Sequence, residues 1–141
     1  MRDTVLVVDD NPDFLRAVRA VLERESFAVH TVQTGRQAIA FLEHRTPFVG
    51  APRPAFVVLD YRLDDMNAPA VLTQLRRRPD LRGIPVLVVS QTRWDEDEAA
   101  ALAAGAHAFR EKPSRMRALR DCVVSFWEDH VHGAKGPADR G

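Results

Sequence analysis

Short runs of branched apolar residues alternate with longer amphipathic stretches along the chain. The runs predict five strands, at residues 5–8, 29–32, 56–59, 84–89 and, more weakly, 106–110. Three of these runs are nearly continuous in apolar residues rather than alternating. This is typical of strands that are covered on both faces, as in a parallel sheet between helices.

The stretches between the runs have helical spacing. After Asn11, a suitable N-cap, and Pro12, a suitable first helical residue, apolar side chains recur three and four residues apart. Further helices are predicted at residues 36–43, 68–78, 95–104 and 115–129. The alternation predicts a (βα)5 doubly wound α/β fold, in which ligands bind at the carboxyl ends of the strands.

Two segments fit neither pattern. Residues 44–54 contain three prolines and a glycine and predict a long loop. Residues 132–141 are polar and predict a disordered tail. We therefore expect one domain over residues 1–131, followed by that tail.

Composition and charge narrow the function classes. The 141 residues carry no formal net charge, so no overall field attracts nucleic acid or anionic lipid, and we expect neither DNA nor membrane as a partner. The single cysteine cannot form an intramolecular disulfide, and no apolar run approaches the roughly 18 residues of a membrane span. With a first strand that begins at residue 5, a signal peptide is not expected, and the predicted location is the cytoplasm.

Polar residues follow the predicted strands where this fold places its site. Asp9 and Asp10 follow the first strand, Asp60 ends the third, Ser90 ends the fourth and Lys112 follows the fifth. Neighbouring carboxylates repel one another unless a cation lies among them. A hard divalent ion with oxygen ligands, Mg2+ or alternatively Mn2+, suits the set.

A carboxylate beside such an ion can also act as a nucleophile toward a phosphoryl group. A metal, an ammonium group and a hydroxyl donor stabilise the charge of that transition state, and Lys112 and Ser90 are of these types. Only two of the twenty basic residues are lysines, which indicates that position 112 favours a compact point charge.

Four segments together resemble the receiver domain of bacterial response regulators, the CheY-like family: VLVVDDNP, VVLDYRL, PVLVVSQT and GAHAFREKP. The resemblance covers residues 4 to 129. It implies a flavodoxin-like parallel sheet of order 2-1-3-4-5. It also implies phosphorylation by a sensor histidine kinase or a phosphotransfer protein.

The same resemblance implies a role for each matching position. Asp60 is the expected phosphoacceptor. Asp9 and Asp10 are expected to hold the metal, with the backbone carbonyl of Arg62 as a further ligand. Ser90 is the expected switch hydroxyl and Phe109 the expected switch aromatic. Lys112 is expected to pair with the phosphoryl group, and the peptide bond before Pro113 is expected to be cis.

The family switches by a population shift: Ser90 moves toward the phosphoryl group, Phe109 turns inward, and the face of the fourth helix, fifth strand and fifth helix changes for a protein partner. After the phosphoacceptor, the chain lacks the Pro and Gly that the family often has. We hypothesise that Arg62 and Gln91, with Thr92 beside them, shield the acyl phosphate and alter its lifetime.

Candidate interface residues lie near the switching face. Trp94 precedes an acidic run, residues 95–98, that we interpret as solvated surface. Val124, Trp127 and Val131 form a second apolar stripe on the last helix. The stripe predicts either ordinary packing or a surface for a homodimer or another partner.

We expect a stand-alone signalling switch, not a turnover enzyme, that catalyses its own phosphorylation and slow dephosphorylation. The 44–54 segment and the ending SFWEDH are similar to single-domain regulators of bacterial phytochrome kinases. The alternatives are an aspartyl phosphatase of the haloacid dehalogenase type, a flavodoxin-like nucleotide binder and a phosphorylation-independent binding module. The phosphatase requires an acid at position 62, where the chain has arginine. The nucleotide binder requires a phosphate loop, which the glycines of this chain do not form.

Overall fold

The computed structural model describes residues 2–92 and 94–133. The strands are β1 Thr4–Val8, β2 Ala28–Val32, β3 Phe56–Asp60, β4 Val86–Ser90 and β5 Ala108–Glu111. The helices are α1 Pro12–Arg24, α2 Gly35–Leu42, α3 Ala68–Leu75, α4 Asp95–Ala103 and α5 Met116–Trp127, with a 3-10 turn at Pro79–Leu81 and a π-helical turn at Glu128–His132. Within these residues, no helix has the length and apolar character needed to cross a membrane.

The five strands form one parallel sheet in the order β2-β1-β3-β4-β5. The predicted fold and strand order are therefore confirmed. Val5 is paired with Phe56, and Asp60 with Val89, so the carboxyl ends of neighbouring strands lie at one edge. The polar residues that follow or end the strands in the sequence lie at that edge.

Helices cover both faces of the sheet, which explains the continuous apolar runs. Side chains of β3 alternate between the two cores: Val57 and Leu59 face α2, α3 and α4, whereas Phe56 and Val58 face α1 and α5. Each fully buried branched side chain contributes about 1.5–3 kcal/mol relative to exposure. Because both faces are buried, strands at the centre of the sheet tolerate polar residues only at their ends.

The helix signals in the sequence correspond to real caps. The Asn11 side chain accepts hydrogen bonds from the backbone N–H groups of Asp13 and Phe14, at 2.9 and 3.2 Å, and Pro12 is the first residue of α1. This fixes the direction in which the chain leaves β1. Asp9 and Asp10 are thereby held at the sheet edge.

Most element ends lie within two residues of the prediction, and the end of α3 and the end of the last helix differ most. α3 ends at Leu75, three residues earlier than predicted, and the guanidinium of its C-cap residue Arg76 donates to the backbone carbonyls of Arg82 and Gly105. At the other end of the chain, the π-helical turn includes His132, so the helical structure extends into the segment predicted as a tail. The rest of that segment, residues 134–141, lies outside the described residues.

Candidate functional site

Polar side chains from four strands meet at the carboxyl-end edge of the sheet. Asp9 and Asp10 follow β1, Asp60 ends β3, Ser90 ends β4 and Lys112 follows β5. They surround one cavity of about 320 Å3. Its lining consists of Asp9, Asp10, Asn11, Asp60, Arg62, Ser90, Gln91, Thr92 and Lys112.

The three carboxylates form a cluster that suits a divalent cation. One oxygen from each of Asp9, Asp10 and Asp60 lies within 4.8 Å of the other two. Mg2+ binds oxygen ligands at about 2.0–2.1 Å, so oxygens that share one ion lie roughly 3–4 Å apart, within reach of small side-chain adjustments. The donor set therefore fits Mg2+ or Mn2+, and these three carboxylates are the side chains that would hold it.

Asp9 is the buried anchor of this cluster. Its Oδ1 accepts a hydrogen bond from the backbone N–H of Asn11 at 2.9 Å, and its Oδ2 accepts one from Lys112 Nζ at 2.5 Å. The residue is 1% exposed. Asp9 therefore fixes the lysine as well as adding negative charge to the cavity.

Lys112 is held from three sides. In addition to its ion pair with Asp9, its ammonium lies 3.9 Å from the centroid of the Phe14 ring, a cation–π contact. Its backbone N–H donates to the carbonyl of Ser90 at 2.6 Å. The ammonium is consequently a fixed point charge beside Asp60.

Burial raises the pKa of Asp60 to about 7. Attraction to Lys112 acts in the opposite direction, and repulsion from Asp9 and Asp10 adds to the increase. Burial, together with the neighbouring carboxylate of Asp64, also raises the pKa of Asp10. A divalent cation favours the ionised carboxylates, so metal binding at this site is coupled to proton release.

Ser90 ends β4, and Phe109 lies within the neighbouring strand β5, where it is paired with Val88. Ser90 is buried and lines the cavity. Phe109 is also buried, and its ring packs edge-on against the Tyr61 ring with centroids 6.1 Å apart. The inward position that the resemblance links to phosphorylation is thus the one that Phe109 has in this structure.

Side chains order the loop after β3, which lacks the Pro and Gly common in the family. The Asp65 carboxylate accepts from the backbone N–H groups of Gly35 and Arg36, both at 2.9 Å, at the start of α2. Arg62 forms an isolated antiparallel bridge with Asn67. The backbone of Arg62 therefore lies in an ordered loop, and its carbonyl as a metal ligand stays a prediction.

The side chain of Arg62 pairs with Asp97 in the first turn of α4. Their Nη2 and Oδ2 atoms are 3.0 Å apart, and Asp97 is only 9% exposed. The interpretation of residues 95–98 as solvated surface is therefore wrong for Asp97. No local sequence pattern indicates this pair, because its members are 35 residues apart and on different elements.

Gln91 and Thr92 lie at the exposed side of the cavity, where they can limit the access of water. Their effect on lifetime stays a prediction. Trp94, two residues further on, is 55% exposed and immediately precedes α4.

The apolar stripe predicted on the last helix is not an exposed patch. The π-helical turn places Val131 in the core at 4% exposure. Trp127 packs edge-on against Phe27 with centroids 5.9 Å apart, and its indole N–H donates to Asp3 at 3.0 Å. Val124 packs against the same core. Of the two alternatives for this stripe, the contacts favour ordinary packing.

The cis bond predicted between Lys112 and Pro113 is a further correction. Among the described residues, the cis peptide bond is Thr46–Pro47, in the loop between α2 and β3. The two isomers before proline differ by only about 0.5–1 kcal/mol. Local sequence therefore does not decide between them.

Comparison with known proteins agrees with this geometry. Residues 5–124 match the family model described as the response regulator receiver domain. Response regulator Rcp1 of Synechocystis sp. is 27% identical over 132 residues, which cover 90% of each chain. The probable transcriptional regulatory protein TcrX of Mycobacterium tuberculosis is 37% identical over 123 residues, 82% of this chain and 49% of TcrX, so the chain spans about half the length of that relative.

Solved structures share the fold. The Mn2+-bound form of Rcp1 superposes on this chain with a TM-score of 0.79 at 24% sequence identity. The superposition covers 92% of this chain and 95% of the Rcp1 chain. The phosphorylated cyanobacterial phytochrome response regulator RcpA superposes with a TM-score of 0.83 at 24% sequence identity. That superposition covers 93% of this chain and 95% of the RcpA chain. At this level of identity, the likeness concerns the fold.

Proposed function

The chain belongs to the family of response regulator receiver domains, and we propose that it accepts a phosphoryl group on Asp60 in a Mg2+-dependent reaction. The observation that carries the proposal is the cluster of Asp9, Asp10 and Asp60 oxygens within 4.8 Å, beside the fixed ammonium of Lys112. Mn2+ would serve in place of Mg2+, and Rcp1 has a Mn2+-bound form.

The donor is a phosphohistidine of a sensor histidine kinase or a phosphotransfer protein. An Asp60 carboxylate oxygen attacks the phosphorus, an O–P bond forms and the P–N bond breaks. The imidazole nitrogen leaves with the electron pair and takes up a proton. A bound divalent ion supplies charge neutralisation for the phosphoryl oxygens.

Residues of the chain have separate parts in this step. Asp60 must be ionised to attack, and Lys112 favours that form by its charge. Asp9 holds Lys112 in place, so it is a positioning residue as well as a metal ligand. Ser90, buried at the cavity wall, offers a hydroxyl donor to a phosphoryl oxygen.

Phosphorylation then shifts the population of the face made by α4, β5 and α5, which a protein partner binds. We propose that the chain signals through such contacts or passes phosphate along a relay, without a turnover reaction on small molecules. The similarity to RcpA, a cyanobacterial phytochrome response regulator, supports a phytochrome-linked kinase as the donor class.

The phosphatase alternative requires a second acid at position 62. There the chain places a guanidinium that is paired with Asp97. This contact argues against a carboxylate acid–base pair and leaves the phosphoacceptor as the favoured function.

Intact-mass measurement tests the proposal directly. The wild-type chain and Asp60→Asn are each incubated with acetyl phosphate, once in the presence of Mg2+ and once in the presence of EDTA. We expect one added phosphoryl group in wild type in the presence of Mg2+, and none in the other three samples. A phosphorylated species in Asp60→Asn would reject Asp60 as the acceptor, and wild type without any mass shift would reject the function.

A further inference from the structure

Arg62 lies between two anionic positions. Its backbone is two residues after Asp60, and it lines the cavity around that carboxylate. Its guanidinium is paired with Asp97 at 3.0 Å. The side chain of Arg62 is 65% exposed and that of Asp97 is 13% exposed, so the guanidinium can turn toward the cavity whereas the carboxylate is held in a mostly buried place.

A phosphoryl group on Asp60 would compete for this guanidinium. A phosphoryl group carries more negative charge than a carboxylate, and the planar fork of arginine matches its oxygens in a bidentate arrangement. Lys112 is less able to respond, since Asp9, Phe14 and the chain around it already hold its ammonium. Arg62 is therefore the mobile cation of the cavity.

Asp97 links the competition to the rest of the molecule. It is the third residue of α4, and burial together with the neighbouring Asp97 carboxylate raises the pKa of the Tyr61 hydroxyl. Tyr61 in turn packs edge-on against Phe109. Arg62 also lies over the Tyr61 ring, 5.4 Å from its centroid.

We propose that Arg62 is exchanged between Asp97 and a phosphoryl group on Asp60, and that this exchange reports the state of Asp60 to the first turn of α4. When the guanidinium leaves, Asp97 is a mostly buried carboxylate without its cation, which is unfavourable. The first turn of α4 then moves so that Asp97 gains water. Asp97 thus acts as a positioning residue for Arg62 and as the coupling point to the output face.

The proposal rests on the proposed function, because it requires a phosphoryl group on Asp60. It adds to that function the pair of Arg62 with Asp97, whose charges would set both the affinity for the phosphoryl group and the movement of α4. Trp94, exposed and next to α4, offers an intrinsic reporter of that movement.

The test uses the full chain with Trp127→Phe, so that Trp94 is the only tryptophan. Beryllofluoride with Mg2+ serves as the phosphoryl mimic, and its affinity and the change in Trp94 emission are measured together. In Asp97→Asn, we expect the mimic to bind roughly two- to fivefold more tightly, since Arg62 is no longer held by an ion pair. We expect the emission change to fall to less than half.

Arg62→Ala should weaken binding of the mimic by a similar factor and also lose most of the emission change. In the Arg62→Ala background, adding Asp97→Asn should leave the affinity unchanged, because the two substitutions act through one contact. Asp97→Glu, which keeps the charge, should retain the wild-type emission change. Thermal unfolding of each variant confirms that it is folded.

Arg78→Ala is the matched control. Arg78 pairs with Asp80 at the same 3.0 Å distance on the surface, away from the cavity. It should change neither affinity nor emission. If Asp97→Asn responds like wild type, or has the same effect with and without Arg62, the coupling is overturned while the phosphoacceptor function stands; if wild type neither binds the mimic nor gains phosphate, both are overturned.

Discussion

Lys112 and Arg62 both bring positive charge to the cavity around Asp60, but their carboxylate partners hold them in different ways. In the pair of Lys112 with Asp9, the side chains are 9% and 1% exposed; in the pair of Arg62 with Asp97, they are 65% and 13% exposed. Coulomb attraction is stronger where water is excluded, and a buried charge without a partner is costly. The first pair is therefore a fixed part of the site, and the second can open. The following predictions test that difference, from the largest expected effect to the smallest.

Removal of the fixed cation should have the largest effect. Lys112→Ala leaves Asp9 buried beside two other carboxylates, and we expect the metal-free protein to lose about 3–5 kcal/mol of stability. Urea unfolding in EDTA measures this loss. Intact-mass analysis with acetyl phosphate should show far less phosphorylation than in wild type.

Arg78→Ala provides the control for loss of a surface cation, with an expected change within about 0.5 kcal/mol. Added Mg2+ should recover part of the stability of Lys112→Ala, because the ion replaces the missing charge. A loss below about 1 kcal/mol would mean that the two ion pairs do not differ as their burial indicates.

The cost of burying a charge beside Lys112 can be removed at Asp60 itself, because an amide at this position carries no charge. The pKa of Asp60 is raised to about 7, above its unfolded value of 3.8, so the folded state retains the proton and stability falls as pH rises from about 4 to 7. Asp60→Asn has no such loss. We expect it to exceed metal-free wild type by about 1–3 kcal/mol above pH 7 and by little near pH 4.

Urea unfolding across this pH range, in EDTA, gives the comparison. A constant difference between Asp60→Asn and wild type at all pH values would contradict the assigned titration. With saturating Mg2+ the advantage of the amide should shrink, since the ion stabilises the ionised wild-type carboxylate.

Shielding by the mobile cation should appear in the lifetime of the acyl phosphate. Arg62→Ala opens the cavity to water, and we expect decay of phosphorylated Asp60 to accelerate roughly two- to fivefold, the range for loss of one exposed charge contact. Gln91→Ala should have a smaller effect in the same direction. Phosphorylated protein is followed over time by intact mass, and unchanged decay in both variants would discard shielding.

The smallest expected effect is on the stability conferred by the pair of Arg62 with Asp97. Arg62→Ala should lower the free energy of unfolding by about 0.5–1 kcal/mol, and added salt should reduce the difference. Urea unfolding at low and high ionic strength measures both. A loss as large as that of Lys112→Ala would show that Arg62 is as fixed as Lys112.

The sequence predicted the fold and the shared edge of the site well, because both follow from periodic patterns. Continuous apolar runs require a sheet covered on both faces, and parallel strands bring Asp9, Asp60 and Lys112 to one edge. The same logic yielded the cap at Asn11, whose partners are two and three residues away.

Contacts between distant elements could not be predicted in this way. Asp97 lies in an acidic run that looks solvated, and its burial depends on how α4 docks against the loop after β3. Asp65 caps α2 from 30 residues away, which no local rule indicates. Val131 faces inward because the last turn is π-helical, a change of period that the residue types do not encode.

The contacts of Trp127 with the first residues have a practical consequence for topology. Its indole N–H donates to Asp3 and its ring lies under Arg2, at the amino end of β1 and opposite the cavity around Asp60. A short linker could therefore join these two regions, with new ends opened in the exposed 44–54 segment, and the rim of carboxylates would stay intact. In such a circularly permuted chain, a second protein domain could be fused at the new ends in the 44–54 segment.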